Sequence, residues 1–309
     1  MADDLLDRFF GRGVPRLGGP PVANPRLADP VGLQLLVHEP LALEAAEVEK
    51  ALRDYHPEMA QATAELYFVP PRDKPASPDG IDPAIMGLFG WDRHVVKVVG
   101  FASPMPADAV KACVQPAHFD PQYKALAYEH QSHVMLYYAG YDHDPMEQHV
   151  ALAAAAGALA YFGGSFVLNE NARTALPAAM LHPHEEDAGD LFATFRGWPL
   201  PFLFCGFVKL EVDGTPGVWM RTYGAHRFGL PDFAFHSPGH ELGSVTFELF
   251  SNLLAYLRHS GKQFAPGDTM RVGDEVFMRM RARTPDEWYL ESEGEMLVTE
   301  RIGPTEVNQ

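Results

Sequence analysis

His133-Val134-Met135-Leu136-Tyr137-Tyr138-Ala139, then Asp142-His143-Asp144-Pro145, then the alanine-rich run Met146 to Phe162 form the stretch that decides the fold. A short apolar, aromatic-rich run reads as a strand, a Pro-containing polar turn ends it, and an apolar segment of helical length follows. The order recurs twice upstream. Val31 to Val37 precedes a turn and a helix over Leu43 to Tyr55, where Ala45, Val48, Leu52 and Tyr55 hold helical spacing. His94 to Phe101 precedes Ser103-Pro104 and a helix over Ala107 to Val114. Three strand–turn–helix units predict an α/β-layered lobe with helices on one face of a mixed sheet. Ala64 to Val69 and Phe166 to Leu168 supply further strands, and Pro70 to Pro83 reads as a loop.

Beyond Leu181 the character changes. A helix is expected over His184 to Phe195, opened by Glu185, Glu186 and Asp187, which suit the positive end of its dipole. Phe202 to Val212 and Val218 to Tyr223 flank Asp213-Gly214-Thr215-Pro216-Gly217, a hairpin signal. Val245, Leu249, Leu253 and Leu257 mark an amphipathic helix over Leu242 to His259, stopped by Gly261. In Val276 to Arg283 arginines alternate with apolar residues, and Glu291, Glu293 and Glu295 alternate after Trp288. A turn centred on Asp286 would set Arg281 against Glu291 and Arg279 against Glu293, a self-neutralised outer face. The fold class is therefore α+β: a short helix and Pro/Gly-rich linker over 1–30, a layered lobe over 31–181, and a lobe of antiparallel strands with one packed helix over 182–309. The two lobes are expected to pack as one unit.

The segment Met220-Arg221-Thr222-Tyr223-Gly224 followed by Phe228-Gly229-Leu230-Pro231-Asp232-Phe233 resembles the C-terminal signature of the bacterial family called domain of unknown function 4261. Pro266-Gly267-Asp268-Thr269 and the last hairpin sit where that family has them, while His226-Arg227 departs from it. The resemblance implies a fold and no activity. Read physically, Gly224 permits a bend, Ala225 to Phe228 makes one helical turn, and Gly229 closes it in a left-handed conformation. Arg221, His226, Arg227 and Asp232 are then a candidate polar binding patch around the bend.

Of the 309 residues 47% are hydrophobic and 21% charged, which separates the chain from disordered sequences. The formal net charge is −17, from 41 acidic and 24 basic residues, with no Lys/Arg run. Such a field repels phosphate backbones, so nucleic acid is not expected as a partner. Met1 to Arg12 has no signal-peptide core, and the run Val150 to Phe162 is too short to span a bilayer, so a cytoplasmic protein without a membrane partner is expected. Cys113 and Cys205 are far apart in apolar contexts and read as buried reduced thiols.

Fourteen histidines invite a metal test. Glu129, His130 and His133 form one group, Asp142, His143, Asp144 and His149 a second, and His182, His184, Glu185 and Glu186 a third. Zinc needs three or four ligands, and neither HExxH nor a cysteine pair is present, so a site would need two groups to converge, with His130, His133, His182 and His184 as ligands. No GxSxG or GxxxxGK[ST] occurs, and Ser237 between His236 and Pro238 reads as a turn residue. No cofactor is expected. The leading expectation is a binding protein of immunity or accessory type that recognises another protein, its N-terminal Leu5, Leu6, Phe9 and Phe10 forming either a frayed end or a docking peptide. A metal-dependent hydrolase using the histidine groups and a small-molecule sensor are the alternatives; the sequence assigns no oligomeric state.

Overall fold

A computed structural model describes residues 2–14, 19–70, 82–182, 190–273 and 276–306. The chain divides into two units: Met1–Glu170 with Ala175–Gly197, and Asn171–Thr174 with Trp198–Gln309. The division falls after Gly197, later than the change of sequence character at Leu181.

The first unit runs α1 (Ala2–Phe9), β1 (Gly32–Val37), α2 (Ala45–Tyr55), β2 (Thr63–Phe68), β3 (Ile85–Trp91), β4 (His94–Phe101), α3 (Ala107–Val114), α4 (Pro121–Leu126), β5 (Ser132–Tyr138), α5 (Pro145–Ala160), β6 (Gly164–Asn169), β7 (Thr174–Pro177) and α6 (Leu191–Gly197). Its strands lie in the order β2-β3-β4-β5-β1-β6-β7. The three strands that open the repeated units, β4, β5 and β1, are therefore the adjacent centre of the sheet. They pair antiparallel, Lys97 opposite Tyr137 and Leu35 opposite Val134. β5 and β6 both run antiparallel to β1, so α5 carries the chain across β1 between two strands of like direction.

Helices cover both faces of this sheet, not one. Apart from Glu147, every residue from Met146 to Ala160 is buried. α5 has no polar stripe because α2 and the sheet enclose it. Its small residues permit that approach: a Cβ on Gly157 would strike the Tyr55 hydroxyl, which donates to the Leu181 carbonyl. On the other face Leu36, Phe166 and Leu168 pack against Val110, Cys113 and Val114 of α3. There, too, Leu5 and Phe9 of α1 pack on Leu88, Val95 and Ala139.

The N-terminal helix is consequently neither frayed nor a free docking peptide. Buried Arg8 fixes it to β2 through two bonds to the Glu65 carboxylate, at 3.0 and 2.6 Å, and one to the Pro21 carbonyl.

The second unit contains α7 (Leu200–Leu203), β8 (Gly206–Val212), β9 (Thr215–Tyr223), β10 (Asp232–Ser237), α8 (Gly243–Ser260), β11 (Thr269–Gly273), β12 (Val276–Ala282) and β13 (Met296–Ile302). Its six-stranded sheet has the order β11-β12-β13-β10-β9-β8, and β10 runs parallel to β13. The parallel pairing of this α+β protein thus lies here, whereas the registered pairs of the first sheet are antiparallel. Phe207 and Phe233 meet Phe250 of α8, and Gly261 closes that helix at φ 65°.

The last hairpin corrects the expected register. β12 pairs with Met296–Ile302, so Arg279 lies opposite Glu300 instead of Glu293. Arg281 reaches Glu287 at 2.5 Å and Glu300 at 2.6 Å, not Glu291. The connection is long because Glu287 folds back to accept from the Thr284 amide and from Arg281, with a 3-10 turn over Trp288–Leu290 behind it. Charge neutralisation of Arg281 survives with different partners. The expected helix over His184 to Phe195 is seen as α6 from Leu191; residues 183–189, including His184, lie outside the described residues.

Candidate functional site

The bend after β9 is built as the residue types require. Gly224 has φ 88°, Ala225–Phe228 makes one 3-10 turn, and Gly229 closes it at φ 68°. Asp232 is buried and its carboxylate organises the turn: Oδ1 accepts from the Thr222 hydroxyl at 2.9 Å and the Ala225 amide at 3.1 Å, and Oδ2 from the Ser292 hydroxyl at 2.6 Å. Arg221 is fully buried. Its guanidinium donates to the carbonyls of Thr222, Tyr289 and Glu291 and lies 3.8 Å from the Tyr223 ring centroid. Burial pulls its pKa down, while Tyr223 and Asp232 act to hold it up. The second terminal nitrogen of Arg221 has no partner among the described residues.

The structure thus brings Arg221, His226, Arg227 and Asp232 around one bend, with His226 3.3 Å from Glu293. Two of the four, Arg221 and Asp232, have no exposed surface to offer a ligand. They tie β9 and β10 to the 283–295 connection, Arg221 through the Tyr289 and Glu291 carbonyls and Asp232 through the Ser292 hydroxyl.

Among the described residues His130, His133 and His182 share no common ligand group, and His184 lies outside them. His130 is buried with both ring nitrogens engaged: Nε2 accepts from the Met105 amide and Nδ1 donates to the Ala127 carbonyl, each at 2.8 Å. No lone pair remains for a metal, and burial lowers its pKa, in keeping with a neutral ring. His133 donates from Nδ1 to the Ser103 carbonyl and stacks on Phe101. His182 stacks on Tyr161 at the end of α5. Among the described residues the potential ligands that do converge, within 4.8 Å of one another, are His56, Glu58 and Asp190, none of them a candidate from the sequence. Local hydrogen bonds explain this group. Asp190 accepts from the Phe192 and Ala193 amides at the head of α6, and His56 joins it at 3.1 Å while accepting from the Glu58 amide. The bond to Ala193 is the main reason the Asp190 pKa is lowered.

Nucleophile candidates are likewise occupied. Ser237 donates to the Gly239 carbonyl at 2.7 Å, and burial pushes the Cys205 thiol well above its ordinary pKa. Both cysteines are buried and neither forms a disulfide.

His130 also positions a surface feature. The segment from α4 through the 3-10 turn Ala127–Glu129 exposes Tyr123 (48%), Leu126 (40%) and Tyr128 (46%) within six residues. Asp120 caps α4 through the Gln122 amide, and Ala127 is buried beneath. Lys124 turns its ammonium to the Gln115 carbonyl and over Phe119, so exposed Asp120 and Glu129 set the charge at the margins.

Residues 221–297 match the family model described as domain of unknown function (DUF4261). The match runs from buried Arg221 in β9 to Leu297 in β13 and includes the bend, α8 and the 283–295 connection. No curated protein and no solved structure matches the chain. No helix of the described residues is long and apolar enough to cross a membrane.

Proposed function

We propose that this chain, whose residues 221–297 carry a domain of the DUF4261 family, works by binding another protein, in the accessory or immunity manner the sequence suggested, through the Tyr123–Leu126–Tyr128 ridge of its first unit. The observation that carries the reading is the exposure of three large side chains on a segment pinned from below by His130. Tyrosine supplies large contact area at low entropic cost and is over-represented among residues that dominate binding energy. Asp120 and Glu129 at the margins, on a chain of net charge −17, fit a partner that presents an apolar groove rimmed by Lys or Arg.

The test compares the parent protein with a Tyr123→Asp/Tyr128→Asp variant, each immobilised and exposed to extract of the source cells. The expected result is a partner held by the parent, weakened by salt, and lost from the variant at unchanged melting temperature. Retention of the same proteins by both forms overturns the reading.

A further inference from the structure

The β3–β4 turn forms one wall of a second site in the first unit. Asp92 and Arg93 join the two strands directly, Trp91 opposite His94, with Asp92 at φ 44°. The cleft beside this turn has a volume of about 670 Å³ and is bounded by Pro21, Arg53, Gln61, Trp91, Arg93 and His94 among others. That volume lies in the range that encloses small organic ligands. Pro21 closes one wall: a Cβ on Gly90 would come within 2.5 Å of it.

The donors at this cleft follow from a buried relay. The Tyr138 hydroxyl accepts from the Asp142 amide at 3.1 Å and lies 3.2 Å from His94 Nδ1. Tyr138 is fully buried, so its proton is best placed on Nδ1, which makes Nδ1 the acceptor and Nε2 the protonated nitrogen. Among the described residues His94 Nε2 has no hydrogen-bond partner. Arg93 is largely exposed and touches Asp142 only at 3.7 Å, leaving most of its fork unused. Arg53 is held by the Ala62 carbonyl and Glu49, so its role is positive charge on the wall. Asp92 is the carboxylate at the rim, exposed to solvent.

We propose that this cleft binds a small organic anion, its anionic group held between Arg93 and His94 Nε2–H. The pairing of a guanidinium fork with a neutral N–H donor suits a carboxylate, sulfonate or phosphate. The site is independent of the Tyr123 ridge.

The probe is 8-anilinonaphthalene-1-sulfonate, titrated by fluorescence and calorimetry, with uncharged N-phenyl-1-naphthylamine as comparator. One equivalent is expected to bind the parent protein, more tightly than the uncharged dye. Arg93→Glu, a surface change that leaves the fold intact, is expected to weaken binding at least tenfold, and His94→Gln to weaken it several-fold. Parent affinity in Arg93→Glu overturns the proposal, as does no binding to the parent at millimolar dye. Loss of binding in Tyr123→Asp/Tyr128→Asp with parent affinity in Arg93→Glu would place the dye on the ridge and also overturn it.

Discussion

Two arginines are buried among the described residues, Arg8 in the first unit and Arg221 in the second, and they are accommodated in opposite ways. Arg8 meets a carboxylate: Glu65 grips it with two bonds, and that contact raises its pKa. Arg221 meets no carboxylate directly among the described residues. Three carbonyls and the Tyr223 ring surround it, and burial lowers its pKa. The first arrangement joins a terminal helix to a sheet through side chains. The second joins a strand to an irregular connection through the backbone, and only a fork with several donors can hold that many carbonyls at once. A buried cation therefore does not by itself mark an anion site; its partners decide.

The contrast can be broken at Arg221 first. Arg221→Ala leaves buried carbonyls without donors and a cavity beside Tyr223, and is expected to cost about 3–5 kcal/mol in denaturant unfolding. A loss below about 0.5 kcal/mol would show that the carbonyl cradle is dispensable. Glu65→Gln keeps the shape around Arg8 but removes the charge, with an expected cost of about 1–3 kcal/mol. Hydrogen exchange of α1 should accelerate ahead of the β1 and β5 amides; unchanged protection of α1 would refute the brace.

Acid sharpens the difference between the units. Burial lowers the pKa of His94, His130 and His133, all in the first unit. A base depressed in the folded state is protonated first in the unfolded chain, so stability falls as pH drops below about 6.5 toward the folded values. In the second unit, Glu287 is buried, yet its bonds to Arg281 and Thr284 outweigh that and lower its pKa. Its contribution is present above about pH 4.3, the ordinary glutamate value, and is lost as pH falls through the lower folded pKa. Amides of β4 and β5 should therefore lose protection between pH 7 and 5, with a melting shift of about 2–4 °C for each kcal/mol, before those of β12 and β13. The reverse order would contradict the assignment. The smallest effect is expected from Glu300→Gln: this partner of Arg281 is half exposed and Glu287 remains, so the change should stay within about 1 kcal/mol.

Much of the architecture was legible because local chemistry and packing agree. His94 to Phe101 and Ala107 to Val114 are found with the boundaries read from sequence, and Ala225 to Phe228 forms its single turn between two left-handed glycines. β3 escaped because Ile-Met-Gly-Leu-Phe-Gly-Trp contains two glycines, which ordinarily punctuate a chain. Here they are required by close approach: a Cβ on Gly87 would come within 2.5 Å of the Glu65 carbonyl. The candidate patch was legible as a cluster and opaque as a role. Proximity of Arg221 and Asp232 follows from the bend, but their burial depends on a connection some sixty residues further along the chain. The Tyr123 ridge escaped for the converse reason, since exposure of an aromatic is decided by what fails to pack on it.

The parallel pair β10–β13 has a consequence for how the protein is made. β13 sits in the middle of the second sheet, between β12 and β10, although it is the last strand among the described residues. During synthesis β8, β9 and β10 can form a meander, and β11 with β12 a hairpin, but each keeps an open inner edge until residues 296–302 emerge to zip them together. Closure across so long an interval is slow, and unpaired edges invite association between nascent chains. Pausing or truncation just upstream of Met296 should therefore yield aggregation rather than a smaller folded product.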